Sequence, residues 1–173
     1  MNRRDSLKTL MSASGALISL PAWAEGWSPD KLIIPHSSFS LTEQELLTSV
    51  ADTIIPAGNS IGAIKVGVDK FLQKLFRDCY DQEVQANIKN QLQKLDNNSQ
   101  SKYAKAFPEC DQQQRQELLV AFSASADKNE KDFFDLVKSE TIRGFNTSRE
   151  VMLDHLHYKV VPGHYYGCVD VNA

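Results

Sequence analysis

Four side chains near the end of the chain, His155, His157, His164 and Cys168, are of types that bind metals or serve as base and nucleophile. Imidazole and thiolate are ordinary ligands of zinc and copper, so the group invites reading as a metal centre or a small active site. Its spacing argues otherwise. Residues two apart on a helix diverge by about 200°, so His155 and His157 cannot share one ion there. Gly167-Cys168 has His164 near it in sequence, but Cys168 sits near an irregular C-terminus, and in an exported protein a disulfide is its expected fate. Gly58, Gly62 and Gly67 punctuate a loop over 57–67 too sparsely for a phosphate cradle, with no Lys-Ser or Lys-Thr pair, so that loop reads as structural. Nicotinamide and flavin fingerprints are absent, as is the Cys-x-x-Cys-His of a c-type haem site. A free-standing metal-binding protein or enzyme built on the four end residues stands as the alternative reading, and the rest of the chain offers no catalytic constellation.

The elements that would position these residues are helical. Ser40 or Thr42 can cap a first helix in which Glu43 and Glu45 favour the positive first turn and Leu46, Leu47, Val50 and Ile54 share one face, with Pro56 as its end. Val68 to Tyr80 places Val68, Phe71, Leu72, Leu75, Phe76 and Cys79 on one side. Gln82 to Leu95 repeats the pattern more weakly through Val84, Ile88, Leu92 and Leu95. The run from Asp96 to Ser101 reads as a polar linker, followed by a short helical piece through Tyr103 and Phe107 to Pro108. Asp111 caps a helix carrying Leu118, Leu119 and Phe122. Asp127 to Arg143 carries Phe133, Phe134, Leu136, Val137, Thr141 and Ile142, and Gly144 stands where a helix stops. Ser148 can cap a last short helix through Val151, Met152, Leu153 and Leu156, and the tail from Tyr158 onward is irregular. With no alternating strand and no repeat, the predicted class is all-α: a small irregular bundle of five or six helices in one domain over 41–173.

Ahead of that domain lie two other segments. Residues 1–24 combine a basic opening, an apolar run from Leu10 to Leu20 too short to span a bilayer, and small residues at Ala22 and Ala24, the positions a signal peptidase reads. Arg3-Arg4 followed by Asp-Ser-Leu7-Lys8 resembles a twin-arginine export signal, which carries folded proteins across the inner membrane by way of the twin-arginine translocase. Residues 25–40, with Pro29 and Pro35, read as an extended leader. The expected location is the periplasm, or the periplasmic face of the inner membrane through partners. In that oxidising compartment three cysteines, Cys79, Cys110 and Cys168, leave one over after any intrachain pair, either free or bridged to another subunit. A net charge of −3 over 173 residues, evenly mixed, speaks against nucleic acid as a partner.

A family resemblance covers most of the predicted domain. Leu-Leu-Thr-Ser-Val-Ala-Asp-Thr-Ile-Ile-Pro from Leu46 to Pro56, then Gly62-Ala63, Gly67-Val68 and Asp78-Cys79-Tyr80, resembles the small subunit (subunit 3) of bacterial gluconate 2-dehydrogenase and related membrane-associated, flavin-dependent sugar dehydrogenases. Thr141, Gly144-Phe145-Asn146-Thr147-Ser148, Leu156-His157-Tyr158, Pro162-Gly163 and Tyr166-Gly167-Cys168 continue it. The family usually has Tyr where Asn146 stands and often Gly where His157 stands. The resemblance implies a non-catalytic subunit without a cofactor of its own. Its partner would be an FAD-dependent catalytic subunit of the glucose-methanol-choline type, which it helps to mature and escorts through export. Electrons would pass from that FAD to a cytochrome c subunit of the same complex. Phe145, Thr147, Ser148, His157, Tyr158, Tyr165, Tyr166 and Cys168 are then the expected partner contacts, an aromatic-rich surface of the kind interfaces favour. For Asp52, Thr53, Thr147, Ser148 and Tyr158 the competing reading is local: caps, turn hydrogen bonds and packing.

Overall fold

The computed structural model describes residues 38–159 and Gly163, and these are all-α, with no strand among them. Five α-helices follow in order: α1 (Leu41–Ile54), α2 (Val68–Cys79), α3 (Gln82–Tyr103), α4 (Gln112–Ser123) and α5 (Lys128–Asn146). A 3₁₀ turn, Phe107–Glu109, precedes α4, and a π turn, Val151–His155, closes the described chain. The proposed signal residues Arg3, Arg4, Leu7, Lys8, Ala22 and Ala24 lie outside the described residues.

α1 is the hub, packing against α2, α3, α4, α5 and the 3₁₀ turn. Ser40 starts it: its hydroxyl accepts from the Glu43 amide at 3.2 Å and its amide donates to Glu43 Oε2 at 2.7 Å. This capping box satisfies two donors that a helix start leaves without partners. Leu46, Leu47, Val50 and Ala51 are buried, and Ile54 is half-buried. Phe39, which the sequence pattern assigns to the leader, is itself buried, edge-on to Phe76 with ring centres 6.5 Å apart. The loop after α1 belongs to the core rather than lying over it. Ala63 and Val66 are fully buried, and the Ala63 amide donates to the Ile55 carbonyl at 2.9 Å. A Cβ at Gly62 would stand 2.5 Å from the Ala57 nitrogen, so only glycine permits this close return.

Two sequence expectations are corrected here. The Asp96–Ser101 linker does not exist: α3 runs unbroken through it to Tyr103 and ends only where Ala104 turns left-handed at φ 53°. Two of its polar residues face the following turn and satisfy its backbone. Asp96 Oδ1 accepts from the Phe107 amide at 2.8 Å, and Ser99, fully buried, donates to the Lys105 carbonyl at 2.8 Å with its oxygen 3.0 Å from Cys110 Sγ. Gly144 likewise does not stop α5, which continues to Asn146. It serves close approach: a Cβ there would lie 2.6 Å from Phe71 Cδ1, so α2 and α5 meet where a side chain is missing. On α2, Cys79 falls in the last turn and is exposed, leaving the apolar face to Val68, Leu72 and Phe76 with Phe71 and Leu75 half-buried. Cys79 and the buried Cys110 are both free thiols.

α4 is fastened to the C-terminal end of α1, where carbonyls lack helical partners. Gln112 Nε2 donates to the Thr53 carbonyl at 3.0 Å, and Arg115 Nη2 bonds Asp52 Oδ2 at 3.0 Å. Phe122 and Phe133, ring centres 6.0 Å apart, join α4 to α5. Buried phenylalanines of this kind contribute about 1.5–3 kcal/mol each. No helix among the described residues is long and apolar enough to cross a membrane.

Candidate functional site

The end of α5 is built from hydroxyls that bond their own helix. Thr147 Oγ1 donates to the Arg143 carbonyl and Ser148 Oγ to the Phe145 carbonyl, each at 2.8 Å. Ser148 is completely buried, so it supports the corner and offers no surface; Thr147 is exposed and Phe145 half-buried against the core. Ser148 is also not the side-chain cap expected of it. Its carbonyl, not its hydroxyl, accepts from the Met152 amide at 3.0 Å as the chain turns.

The turn that follows is wider than an α-turn. The Leu156 amide reaches back five residues to the Val151 carbonyl at 2.9 Å, and the Tyr158 amide reaches the Met152 carbonyl at 2.8 Å. His157 takes a left-handed conformation at φ 49°, the position at which the resembling family often carries Gly. For a residue with a Cβ this conformation costs on the order of 1 kcal/mol, and such strain concentrates at functional corners. Only Val151 is buried. Leu153 (42% exposed), Leu156 (58%) and Tyr158 (51%) point outward within six residues of one another, the densest stretch of exposed large apolar side chains among the described residues.

His155 is turned towards the loop after α1. With Ala57, Gly58, Asn59, Ser60, Ile61, Gly62 and Lys65 it lines an open cleft of roughly 490 Å³. Lys65 is exposed and has no acidic partner among the described residues. His157 is exposed, and no group of three His, Cys, Asp or Glu side chains among the described residues is placed to hold a metal ion. His164, Tyr165, Tyr166 and Cys168 lie outside the described residues.

A second polar cluster sits between α2 and α5. The Glu140 side chain is buried, accepts from Tyr80 Oη at 3.1 Å and pairs with Arg143 at 3.2 Å. Burial foremost, and then the Glu140 charge, push the Tyr80 phenol above its usual range. This arrangement ties the end of α2 to α5. Sequence reading passed over Glu140, Lys65 and the outward turn of Leu153 and Leu156. The last had a signal: Val151, Met152, Leu153 and Leu156 crowd more apolar side chains into one turn than one buried face can hold.

Comparison with curated proteins finds no match, and neither does comparison with solved structures. The model of the gluconate 2-dehydrogenase subunit 3 family matches residues 42–163, from the start of α1 through the closing turn and its exposed apolar side chains. The chain therefore belongs to the gluconate 2-dehydrogenase subunit 3 family.

Proposed function

We propose that this chain is the non-catalytic small subunit of an exported dehydrogenase complex. In this reading it binds an FAD-dependent catalytic subunit of the glucose-methanol-choline type and escorts it, folded, through the twin-arginine route into the periplasm. The observation that carries the reading is the exposed Leu153, Leu156 and Tyr158 on a chain whose family is that of a dehydrogenase subunit. An outward cluster of apolar and aromatic side chains is how a subunit keeps surface for a partner. In the assembled complex the FAD belongs to the partner, a cytochrome c subunit takes the electrons, and this chain holds the partner rather than the substrate.

The test is co-expression of the full chain with the flavoprotein encoded beside it, comparing periplasmic dehydrogenase activity for the native chain and for the double variant Arg3→Lys, Arg4→Lys. The expected outcome is at least a tenfold fall in periplasmic activity with the flavoprotein retained in the cytoplasm. A flavoprotein that arrives active without this leader removes the escort role.

A further inference from the structure

The cleft between the 57–62 loop and the closing turn has a chemistry of its own. Among its lining residues Lys65 is the one charged side chain and His155 the one other ionisable group; the remainder are small or polar except Ile61. Lys65 stands without a counter-ion among the described residues, in a chain whose net charge is −3. Lys74 meets Asp78 and Lys102 meets Glu117, whereas Lys65 lines a cleft with no carboxylate among its lining residues. The floor is pre-shaped: Gly62 packs against Ala57, the Ala63 amide is fixed to Ile55, and an added Cβ at Gly58 would meet nothing within 4 Å. Immediately beside it the turn presents Leu156 and Tyr158, flanked by exposed Arg149, His157 and Lys159, with Asp154 and the half-buried Glu150 as its acids.

We propose that this cleft is the specificity-determining contact for the catalytic subunit, taking a loop of that flavoprotein that carries an Asp or Glu carboxylate next to an apolar side chain. The carboxylate sits between Lys65 and His155, and the apolar side chain covers Leu156 and Tyr158. Charge complementarity chooses the occupant: an apolar patch alone would accept many surfaces, whereas a cation at its edge with no carboxylate partner among the described residues selects an anionic one and disfavours a basic one. A pre-shaped floor lowers the ordering cost of the encounter. The proposal rests on the reading of this chain as a dehydrogenase small subunit.

The experiment is the equilibrium affinity of the purified full chain for the purified flavoprotein at low and at physiological salt. The variants are Lys65→Glu, Lys65→Arg, Leu156→Asp, and Lys128→Glu as a charge-matched control at the far end of α5, about 25 Å of helix away. The expected result is a loss of at least tenfold for Lys65→Glu and for Leu156→Asp, near-native binding for Lys65→Arg and Lys128→Glu, and weaker native binding at higher salt. Circular dichroism and thermal melting establish that each variant is folded; Lys65 and Leu156 are exposed, so folding is expected to survive. Native binding with Lys65→Glu within twofold of it overturns the cleft and leaves the subunit reading standing. Equal losses in Lys65→Glu and Lys128→Glu also overturn it, since the effect is then one of net charge. No binding by the native chain overturns both readings.

Discussion

His157 is one of two non-glycine residues in the left-handed region among the described residues, with Ala104. It is exposed, at φ 49°, and carries a Cβ in a region that glycine enters freely. Replacing it with glycine relieves the steric cost while adding some freedom to the unfolded chain, so His157→Gly is expected to raise stability by about 0.5–1 kcal/mol. His157→Val, branched at Cβ, is expected to lower it by about 1 kcal/mol or more. Thermal or urea melts of the two variants check the opposite signs. The left-handed angle at His157 was not legible in sequence, because the residue types on either side carry no mark of a backbone angle. The same limit hid Glu140, because nothing about a lone glutamate late in a helix announces that Tyr80, sixty residues earlier, will reach it.

At the scale of elements, helices whose ends carry caps were legible and helices that end on tertiary contacts were not. Ser40 and Asp111 announce α1 and α4, and both build reciprocal capping boxes. The Asp96–Ser101 stretch looked like a linker because Asp, Asn and Ser prefer turns, yet it contains neither Gly nor Pro, and the turn at 104–110 rewards its polar groups for staying helical. Gly144 misled for the complementary reason: glycine can end a helix or let another helix come near, and only packing decides which. The close approach gives a quantitative expectation. Gly144→Val should cost about 1–3 kcal/mol by driving the added methyls into Phe71. Adding Phe71→Ala to Gly144→Val should recover part of that loss, a double-mutant coupling of about 0.5 kcal/mol or more in urea titrations. The closing turn was legible as an ending but not as a surface, since apolar residues there read equally well as core.

Across the whole molecule, ion pairs bind α3 to its neighbours. Lys94 bridges to Asp127 and to Glu130 at the start of α5, and Lys102 with Tyr103 holds Glu117 on α4. The Lys94 ammonium foremost, helped by Ser125, holds the Glu130 carboxyl below its usual range, and Lys102 followed by Tyr103 does the same for Glu117. A carboxylate whose pKa is lower folded than unfolded contributes stability that is fully present above the unfolded value of 4.5 and is lost as pH falls through the folded value. Stability to urea is therefore expected to change little from pH 7 to 5 and to decline below about 4.5. Glu130→Gln should flatten part of that decline, and because these pairs are largely exposed the effect should shrink in high salt.

The hub position of α1 also sets an order in time. Leu47 is made early and ends fully buried, and α5, one of the helices packed on α1, begins only at Lys128, about eighty residues later. At a synthesis rate of about 5–20 residues per second, the apolar face of α1 stays incompletely covered for roughly 5–20 s while the chain grows. A truncated or stalled product keeps that face in the open indefinitely. Completeness of the domain is thus readable from outside as the disappearance of a single greasy stripe, a cue that any machinery sorting finished from unfinished cargo can use without recognising the sequence at all.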